Sequence, residues 1–217
     1  MGEAQEDCGN CPSGYFCPQQ TSSPQICPRG YYCPESTEIP ISCPIGTFGA
    51  GEGLSALEDC TACYGGRYCS QYGLEEPDGK CDKAYYCVDQ SMTPVPTTLW
   101  VGDVGNECER GGYCPQGSKY PRPCLPGYHN QQPGQDHNGR CQACPAGQYC
   151  TGDPDPVRTD VSSFLAGIIP AKDPTGLCHA GYYCTGTSSN PKQHMATPGH
   201  FTVGGAAAED NCLPGTF

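Results

Sequence analysis

The sequence has few of the aliphatic side chains from which a conventional protein core is built. Leu, Ile, Val and Phe together supply 26 of the 217 residues, about twelve per cent, which is too little for one large core. A chain of this length ordinarily folds as one or two domains. The shortage therefore predicts many small units, each held together by covalent bonds.

Long apolar runs and clusters of positive charge are also missing. The richest apolar stretch is 164–169, far short of the roughly eighteen residues of a membrane span, and MGEAQEDC carries no leader signature. The net charge is −12, from 23 acidic and 11 basic residues. We expect no direct membrane span and no nucleic-acid partner.

Signatures of catalysis and metal binding are absent as well. There is no G-x-S-x-G elbow, and bridged cysteines cannot act as thiolates. Three C-x2-C pairs each continue into a longer cysteine motif, unlike zinc knuckles, the histidines are scattered, and Asp153, Asp155 and Asp160 match no calcium loop. We expect a protein that is not an enzyme and has no metal and no cofactor. The C-x2-C pairs are Cys8 with Cys11, Cys60 with Cys63 and Cys141 with Cys144, and the histidines are His129, His137, His179, His194 and His200.

Cysteine is the residue that organises the chain. There are 20 cysteines, 30 glycines and 23 prolines, a composition typical of a disulfide scaffold. Disulfides persist in oxidising compartments. We therefore expect an extracellular protein, either secreted or on a cell or flagellar surface.

One spacing, C-x5-C, occurs seven times. The residue before the second cysteine is always aromatic, and the third residue after the first cysteine is glycine except at Ala84. Glycine permits the positive φ of a sharp turn, and the aromatic ring supplies a miniature core. The pattern predicts small disulfide-rich repeats that form an elongated rod of short β-hairpins and loops, with little or no helix. The seven motifs are Cys11–Cys17, Cys27–Cys33, Cys63–Cys69, Cys81–Cys87, Cys108–Cys114, Cys144–Cys150 and Cys178–Cys184.

A longer unit repeats at an offset of 81 residues. Six cysteines recur with this shift, so that Cys27 corresponds to Cys108 and Cys69 to Cys150. The two ends of the chain read as parts of further copies, which indicates a segment of a longer polypeptide. The predicted divisions are 1–26 as the tail of a preceding repeat, 27–69 as a repeat, 70–107 as an extra motif with an insertion, 108–150 as the second repeat, 151–177 as an insertion, and 178–217 as the start of a third repeat.

The stretch from Cys43 through IGTF to Cys60 and Cys63 resembles ephrin-receptor-like cysteine-rich repeats, and the wider pattern is similar to tumour-necrosis-factor-receptor modules. The resemblance implies a scaffold and a set of disulfides. It pairs Cys43 with Cys60 and Cys124 with Cys141. The interleaved pairs that it implies are Cys11 with Cys27, Cys17 with Cys33, Cys63 with Cys81, Cys69 with Cys87, Cys144 with Cys178 and Cys150 with Cys184, which leaves Cys108 to Cys114. Cys8 and Cys212 would bond outside the segment or between subunits.

Two insertions hold most of the remaining apolar side chains. Each either folds back over its own module or forms a contact patch for assembly. The candidate patch residues are Leu99, Trp100, Val101, Phe164, Leu165, Ile168 and Ile169.

Clusters of hydroxyl residues are typical either of O-glycosylation tracts or of ordinary polar loops, whereas no N-x-[ST] sequon is present. The candidate O-glycan sites are Thr21, Ser22, Ser23, Thr93, Thr97, Thr98, Thr187, Ser188 and Ser189. O-glycans are therefore possible partners.

Taken together, these features favour a structural segment that self-associates into an extracellular filament, such as a cell-surface or flagellar-hair fibre. The alternative is the cysteine-rich ectodomain of a ligand-binding receptor, and a third hypothesis is the accessory stalk of a secreted enzyme.

Overall fold

Short hairpins make up the structure, a computed structural model that describes residues 9–19, 21, 23–97, 104–151 and 171–216. Ten two-stranded sheets each join two strands consecutive in sequence, and over the described residues the helical segments are two 3₁₀ turns, Leu57–Asp59 and Asn138–Arg140. The expectation of disulfide-rich hairpins with little helix is confirmed. The strands are β1 (Tyr15–Phe16), β2 (Gln25–Ile26), β3 (Tyr31–Tyr32), β4 (Ile41–Ser42), β5 (Thr47–Phe48), β6 (Thr61–Ala62), β7 (Arg67–Tyr68), β8 (Gly79–Lys80), β9 (Tyr85–Cys87), β10 (Gly105–Glu107), β11 (Gly112–Tyr113), β12 (Arg122–Pro123), β13 (Tyr128–His129), β14 (Gln142–Ala143), β15 (Gln148–Tyr149), β16 (Gly176–Leu177), β17 (Tyr182–Tyr183), β18 (His194–Met195), β19 (His200–Phe201) and β20 (Asp210–Asn211).

Hairpins 1 to 10 are named here in chain order, so that β1 and β2 form hairpin 1 and β19 and β20 form hairpin 10. Each begins with a tight turn. In hairpin 1 the carbonyl of Pro12 accepts the N–H of Tyr15 at 3.1 Å, and Gly14 has a φ of 81°. These are the features of a type II turn, whose third residue needs a positive φ. The glycines of the other C-x5-C motifs share this conformation, and Ala84 adopts it too, at 72°.

The chain divides into two compact units. Unit 1 is Met1–Cys81 with Cys87–Gly105, and unit 2 is Asp82–Tyr86 with Asn106–Phe217. Hairpins 1 to 4 belong to unit 1 and hairpins 6 to 10 to unit 2, while the strands of hairpin 5 contribute residues to both.

Backbone hydrogen bonds connect successive hairpins within unit 1. The N–H of the glycine in each hairpin's turn donates to the carbonyl of the residue that lies six positions after the cysteine that precedes the turn of the next hairpin. Thus Gly14 donates to Cys33 at 2.8 Å and Gly30 donates to Gly49 at 2.9 Å. Within hairpin 1 itself, the N–H of Cys27 donates to the carbonyl of Gly14 at 2.9 Å, which continues the β1–β2 pairing by one residue. These bonds form a ladder that satisfies the polar backbone groups of the turns.

Unit 2 repeats this ladder with its own residues. Ala84 donates to Cys114 at 2.8 Å, Gly127 to Cys150 at 2.9 Å, and Gly181 to Thr202 at 3.2 Å. The alanine therefore fills the glycine position without loss of the hydrogen bond.

Disulfides form the core. Apart from Pro96, the largest fully buried side chains of the described residues are all cysteines, whereas many apolar side chains lie at the surface. Each C-x5-C motif closes on itself, with 5.7 to 6.2 Å between the two Cα atoms, within the ordinary range for a disulfide. The longer bridges Cys43–Cys60 and Cys124–Cys141 bring the number of disulfides among the described residues to nine.

This pairing corrects six of the expected bridges. Cys43–Cys60, Cys124–Cys141 and Cys108–Cys114 are as expected. The interleaved pairs are wrong, because the type II turn reverses the chain between the two cysteines of one motif and consumes both thiols there. The structure replaces Cys11 with Cys27, Cys17 with Cys33, Cys63 with Cys81, Cys69 with Cys87, Cys144 with Cys178 and Cys150 with Cys184 by Cys11–Cys17, Cys27–Cys33, Cys63–Cys69, Cys81–Cys87, Cys144–Cys150 and Cys178–Cys184.

The 81-residue offset is visible in the secondary structure of the two units. The strands β3 to β7 recur with this shift as β11 to β15, and the 3₁₀ turn Leu57–Asp59 recurs as Asn138–Arg140. The sequence period therefore corresponds to a period of structure.

Candidate functional site

Four kinds of surface outside the disulfide core are candidates for function: the insertions, the hydroxyl-rich loops, a hollow in unit 2 and the surface of hairpin 10. The insertion patches Leu99, Trp100, Val101, Phe164, Leu165, Ile168 and Ile169 lie outside the described residues, as do Cys8 and the candidate glycan sites Ser22 and Thr98. A proline turn that precedes the first patch is described. In it Pro96 is fully buried, and the carbonyl of Pro94 lies 3.3 Å from the sulfur of Cys81.

The hydroxyl-rich loops differ in accessibility. Ser188 is only 1% exposed and its hydroxyl donates to the carbonyl of Asn190 at 2.8 Å, so the O-glycan site expected there is wrong because the oxygen is enclosed. Thr93 is half-buried, and its hydroxyl accepts the N–H of Val95. The other described candidates are Thr21, Ser23, Thr187 and Ser189, which are exposed, and Thr97, which is half-buried.

Unit 2 contains a surface hollow of about 300 Å³. Arg110 at its edge lies 3.1 Å from Asp173, whose carboxylate also accepts the side-chain amide of Gln131 at 2.9 Å. Both members of the ion pair are about half exposed, so the pair contributes little to stability. The hollow can accommodate only a small or extended ligand. Its lining residues are Asn106, Glu107, Cys108, Glu109, Arg110, Pro133 and Lys172.

Carboxylates stabilise several turns. The carboxylate of Asp59 accepts the N–H and hydroxyl of Ser55 and the N–H of Ala56, at 2.8 to 3.0 Å, and these bonds hold the pKa of Asp59 below its ordinary value of 3.8. A hydrogen bond from His137, with a smaller contribution from the charge of Lys83, likewise lowers the pKa of Asp136. These groups serve the structure of the loops.

Among the described residues no three His, Cys, Asp or Glu side chains are grouped as a metal site would require. In the same part of the chain, no helix has the length and apolar character needed to cross a bilayer.

Hairpin 10 contains no cysteine. Its turn is formed by Thr197, Pro198, Gly199 and His200: the carbonyl of Thr197 accepts the N–H of His200 at 2.9 Å, and Gly199 has a φ of 85°. The carboxylate of Glu209 accepts the N–H and the hydroxyl of Thr197, at 2.7 and 2.9 Å. Hydrogen bonds therefore close this hairpin where the disulfide Cys178–Cys184 closes hairpin 9.

The bonds from Thr197 lower the pKa of Glu209 below its ordinary value of 4.5, mainly through the backbone N–H, with a smaller effect from His200. The cysteine spacing does not predict this hairpin, because no cysteine precedes its turn. The signal was the T-P-G-H-F string, which has the spacing of L-P-G-Y-H at Leu125–His129.

The side of hairpin 10 that carries Phe201 is incompletely covered. Phe201 is 46% exposed, whereas Phe48 and His129, at the same position in hairpins 3 and 7, are 7% and 5% exposed. Phe48 is buried by the disulfide cysteines Cys63 and Cys69 and by Leu74. Within the described residues no backbone carbonyl accepts the N–H of Gly199 or of Thr202, although the equivalent groups of the preceding hairpin 9 both donate forward.

An open hairpin follows. Cys212 is a free thiol, Gly215 has a φ of 85°, and the N–H of Thr216 donates to the carbonyl of Leu213 at 3.0 Å. The turn is formed, but Thr216 has no strand partner among the described residues.

Comparison with known proteins does not assign the chain to a family. No protein-family model matches it, and none of the curated proteins is significantly similar to it.

Proposed function

We propose that the chain is a structural, non-enzymatic segment of an extracellular repeat protein of the ephrin-receptor-like or tumour-necrosis-factor-receptor-like cysteine-rich kind. Its hairpins form a rod that assembles into a filament or a cell-surface or flagellar-hair fibre. The nine disulfides are consistent with an oxidising environment.

The forward ladder is the observation that carries this proposal. In each unit a hairpin donates from its turn to the next hairpin, as Gly30 does to Gly49 and Gly147 does to Cys184. Repeats that contact mainly their neighbours build extended arrays, and the interaction is directional, since the donors and acceptors differ. A directional contact that does not close on itself extends into a fibre.

Electron microscopy and light scattering of the oxidised 217-residue chain test the proposal. We expect polymers with a regular axial repeat and a mass that increases with concentration above 23.0 kDa. A particle that stays monomeric over the whole concentration range would contradict assembly.

The hollow around Arg110 favours the second candidate, a ligand-binding receptor ectodomain. Its lining carries both signs of charge, including Lys172 and Glu109, and this suits a short peptide. A peptide-array screen would detect this activity, and Arg110→Ala should reduce the binding of any peptide that the hollow holds. A peptide whose binding is unaffected by this substitution does not use the hollow.

A further inference from the structure

We propose that Asn138, in the loop of hairpin 7, is the site of a self-modification in which its side-chain amide is lost as ammonia and the residue becomes aspartate or isoaspartate. The inference goes beyond the proposed function, because it concerns one loop of unit 2 and does not depend on assembly.

The bond between Asn138 and Gly139 is the only Asn-Gly bond in the chain. The backbone nitrogen of the residue after an asparagine can attack the side-chain carbonyl carbon, and glycine hinders this attack least because it has no Cβ. Both residues are exposed. In the described part of the chain the side-chain amide of Asn138 has no hydrogen-bond partner, so it is free to rotate toward the attacking nitrogen.

The turn that contains this bond forms equally well from other residues. The 3₁₀ turn Asn138–Arg140 begins after His137, whose φ and ψ are −154° and 161°, and the equivalent turn of unit 1 begins after Ala56, at −149° and 165°. Gly139 does not have a positive φ, so the turn does not require a glycine there. The residues of unit 1 that correspond to Asp136, His137, Asn138 and Gly139 are Ser55, Ala56, Leu57 and Glu58.

The N–H of Gly139 is available for the reaction. No side chain caps the turn, and the first N–H groups of a helical turn have no partner within it. Among the described residues no backbone carbonyl accepts this N–H. The attacking nitrogen is therefore not held by a hydrogen bond that the reaction would first have to break.

The ring of His137 lies against the backbone of Gly139. A Cβ at Gly139 would lie 3.1 Å from Cδ2 and 3.3 Å from Nε2 of that ring. The other ring nitrogen, Nδ1, is hydrogen-bonded to the carboxylate of Asp136, and an imidazole that donates from Nδ1 keeps Nε2 as a proton acceptor. His137 is thus placed to take the proton of the Gly139 N–H as a general base.

The carboxylate of Asp136 is itself held in place. Lys83 lies 3.7 Å from one of its oxygens and Arg140 lies 4.0 Å from the other. The side chain of Asp136 is 28% exposed, whereas that of His137 is 54% exposed. The two cations fix the carboxylate and the carboxylate orients the ring, which makes Asp136 a positioning residue.

The reaction needs water and no other reactant. His137 takes the proton from the nitrogen of Gly139, this nitrogen forms a bond to Cγ of Asn138, and the C–N bond of the side-chain amide breaks. The amide nitrogen leaves as ammonia with the proton that the histidine gives back. Water then opens the cyclic imide at either of its carbonyls, which gives aspartate or isoaspartate, and nothing is oxidised or reduced.

Isoaspartate at position 138 would alter hairpin 7. It routes the main chain through the side-chain carbons and so lengthens it by one methylene. The carbonyl of Asn138 accepts the N–H of Cys141 at 3.0 Å, and Cys141 is bridged to Cys124. The modification therefore displaces this carbonyl from the turn beside the bridge and adds a negative charge, so that unit 2 changes gradually with the age of the protein.

Incubation of the oxidised 217-residue chain at neutral pH tests the inference. Peptide mass spectrometry detects the replacement of the amide nitrogen by oxygen at Asn138, and labelling by an isoaspartyl methyltransferase detects isoaspartate. The reduced and alkylated chain gives the rate without folded structure. We expect Asn138 to react faster in the folded protein, because His137 is positioned only there. A folded chain that reacts no faster than the unfolded one would overturn the inference.

His137→Gln tests the role of the base, with the nine disulfides of the variant verified by thiol counting. In the folded protein it should lower the rate by about tenfold, less than the roughly 10²–10⁴-fold of a fully positioned base, and in the reduced chain it should change nothing. An unchanged folded rate, or an equal loss in both forms, would remove the histidine from the reaction.

The bond between Asp78 and Gly79 is the matched control, since it is the other place where glycine follows Asn or Asp. The carboxylate of Asp78 accepts the N–H and the hydroxyl of Ser70 at 2.7 and 2.6 Å, so it is not free to react. We expect no isoaspartate there in the same folded samples. As much isoaspartate at Asp78 as at Asn138 would show that the surroundings of Asn138 do not promote the reaction.

Discussion

At position 84 an alanine occupies the turn site that glycine occupies in the other C-x5-C motifs. Its φ of 72° lies in the left-handed region, which costs an L-residue about 1–2 kcal/mol. Its hydrogen bonds to Cys114 and from Cys108 are nevertheless formed. The disulfide and the ladder therefore impose the turn on a residue that does not favour it.

Ala84→Gly should raise the free energy of unfolding. The removed strain of about 1–2 kcal/mol is partly offset by the greater freedom of glycine in the unfolded chain, about 0.5–1 kcal/mol. A net gain of about 0.5–1 kcal/mol is expected in guanidinium unfolding of the oxidised protein, followed by tyrosine fluorescence. The matched control is Ala143→Gly in β14, which should destabilise. Equal losses in both variants would show that Ala84 is not strained.

Alanine substitutions at two turn glycines of unit 2 distinguish the cost of backbone strain from the cost of a steric clash. Gly147 and Gly181 have φ values of 81° and 85°. A Cβ at Gly147 would lie 2.2 Å from the carbonyl oxygen of Gly205, whereas one at Gly181 meets nothing within 4 Å. Both substitutions by alanine should cost the strain, and Gly147→Ala should cost about 1–3 kcal/mol more from overpacking. The difference between the unfolding midpoints of the two variants measures the cost of overpacking. Equal midpoints would mean that the hairpins shift apart at this contact and relieve the overlap.

At the scale of the element, hairpins 3 and 7 share one geometry with different residues at the buried position. Phe48 packs on Cys63 and Cys69, whereas His129 is buried with its Nδ1 lacking a hydrogen-bond partner among the described residues. A buried polar atom without a partner costs about 1–3 kcal/mol.

His129→Phe should therefore stabilise unit 2 by about 1–2 kcal/mol, since it restores the residue of hairpin 3 and removes the unsatisfied nitrogen. The reverse substitution, Phe48→His, is the matched control in unit 1 and should destabilise. Hydrogen exchange measured in each hairpin during thermal unfolding distinguishes the effects of the two substitutions. Loss of stability in His129→Phe would mean that the histidine has a role that the static geometry does not show.

Hairpin 10 depends on a carboxylate and should therefore be sensitive to acid. The pKa of Glu209 is lowered in the folded state, so its contribution is present above the ordinary value of 4.5 and is lost as the pH falls through the lower folded value. Amide exchange of Thr197–Asn211, corrected for intrinsic rates, should accelerate below about pH 4.5. Glu209→Gln should show the faster exchange at neutral pH, whereas the control Glu76→Gln in unit 1 should not change it.

The sequence predicted the hairpins more successfully than the pairing of the cysteines. The aromatic residue of each C-x5-C motif, with the glycine that six of the seven contain, specifies a strand and a turn, and both are present in the structure. The pairing could not be predicted, because the same spacing allows a cysteine to bond within its motif or across to the next. Hairpin 10 was not predicted, because hydrogen bonds to Glu209 close it in place of a disulfide. The turns at Ser36, Gln90 and Thr187 were not predicted either, because they adopt positive φ without glycine.

For the whole molecule, the disulfides decide whether the chain folds. Seven bridges close loops with a sequence separation of 6 and two close loops with a separation of 17. Chain entropy assigns about 2 kcal/mol to a short loop and about 3 kcal/mol to a longer one. The nine together contribute roughly 20 kcal/mol, more than the roughly 5–15 kcal/mol by which domains are ordinarily stable.

Full reduction should therefore unfold both units, because the sparse apolar side chains cannot replace the bridges. We expect slow-exchanging amides, such as those of Gly30 and Gly147 in the two ladders, to lose protection completely in reducing agent without denaturant. Alkylation of Cys212 alone, under non-reducing conditions, is the control and should leave their protection unchanged, since this thiol holds no loop closed. Protected amides that survive reduction would show that the ladder of backbone hydrogen bonds is stable by itself, and the disulfides would then fix the register of hairpins that already form.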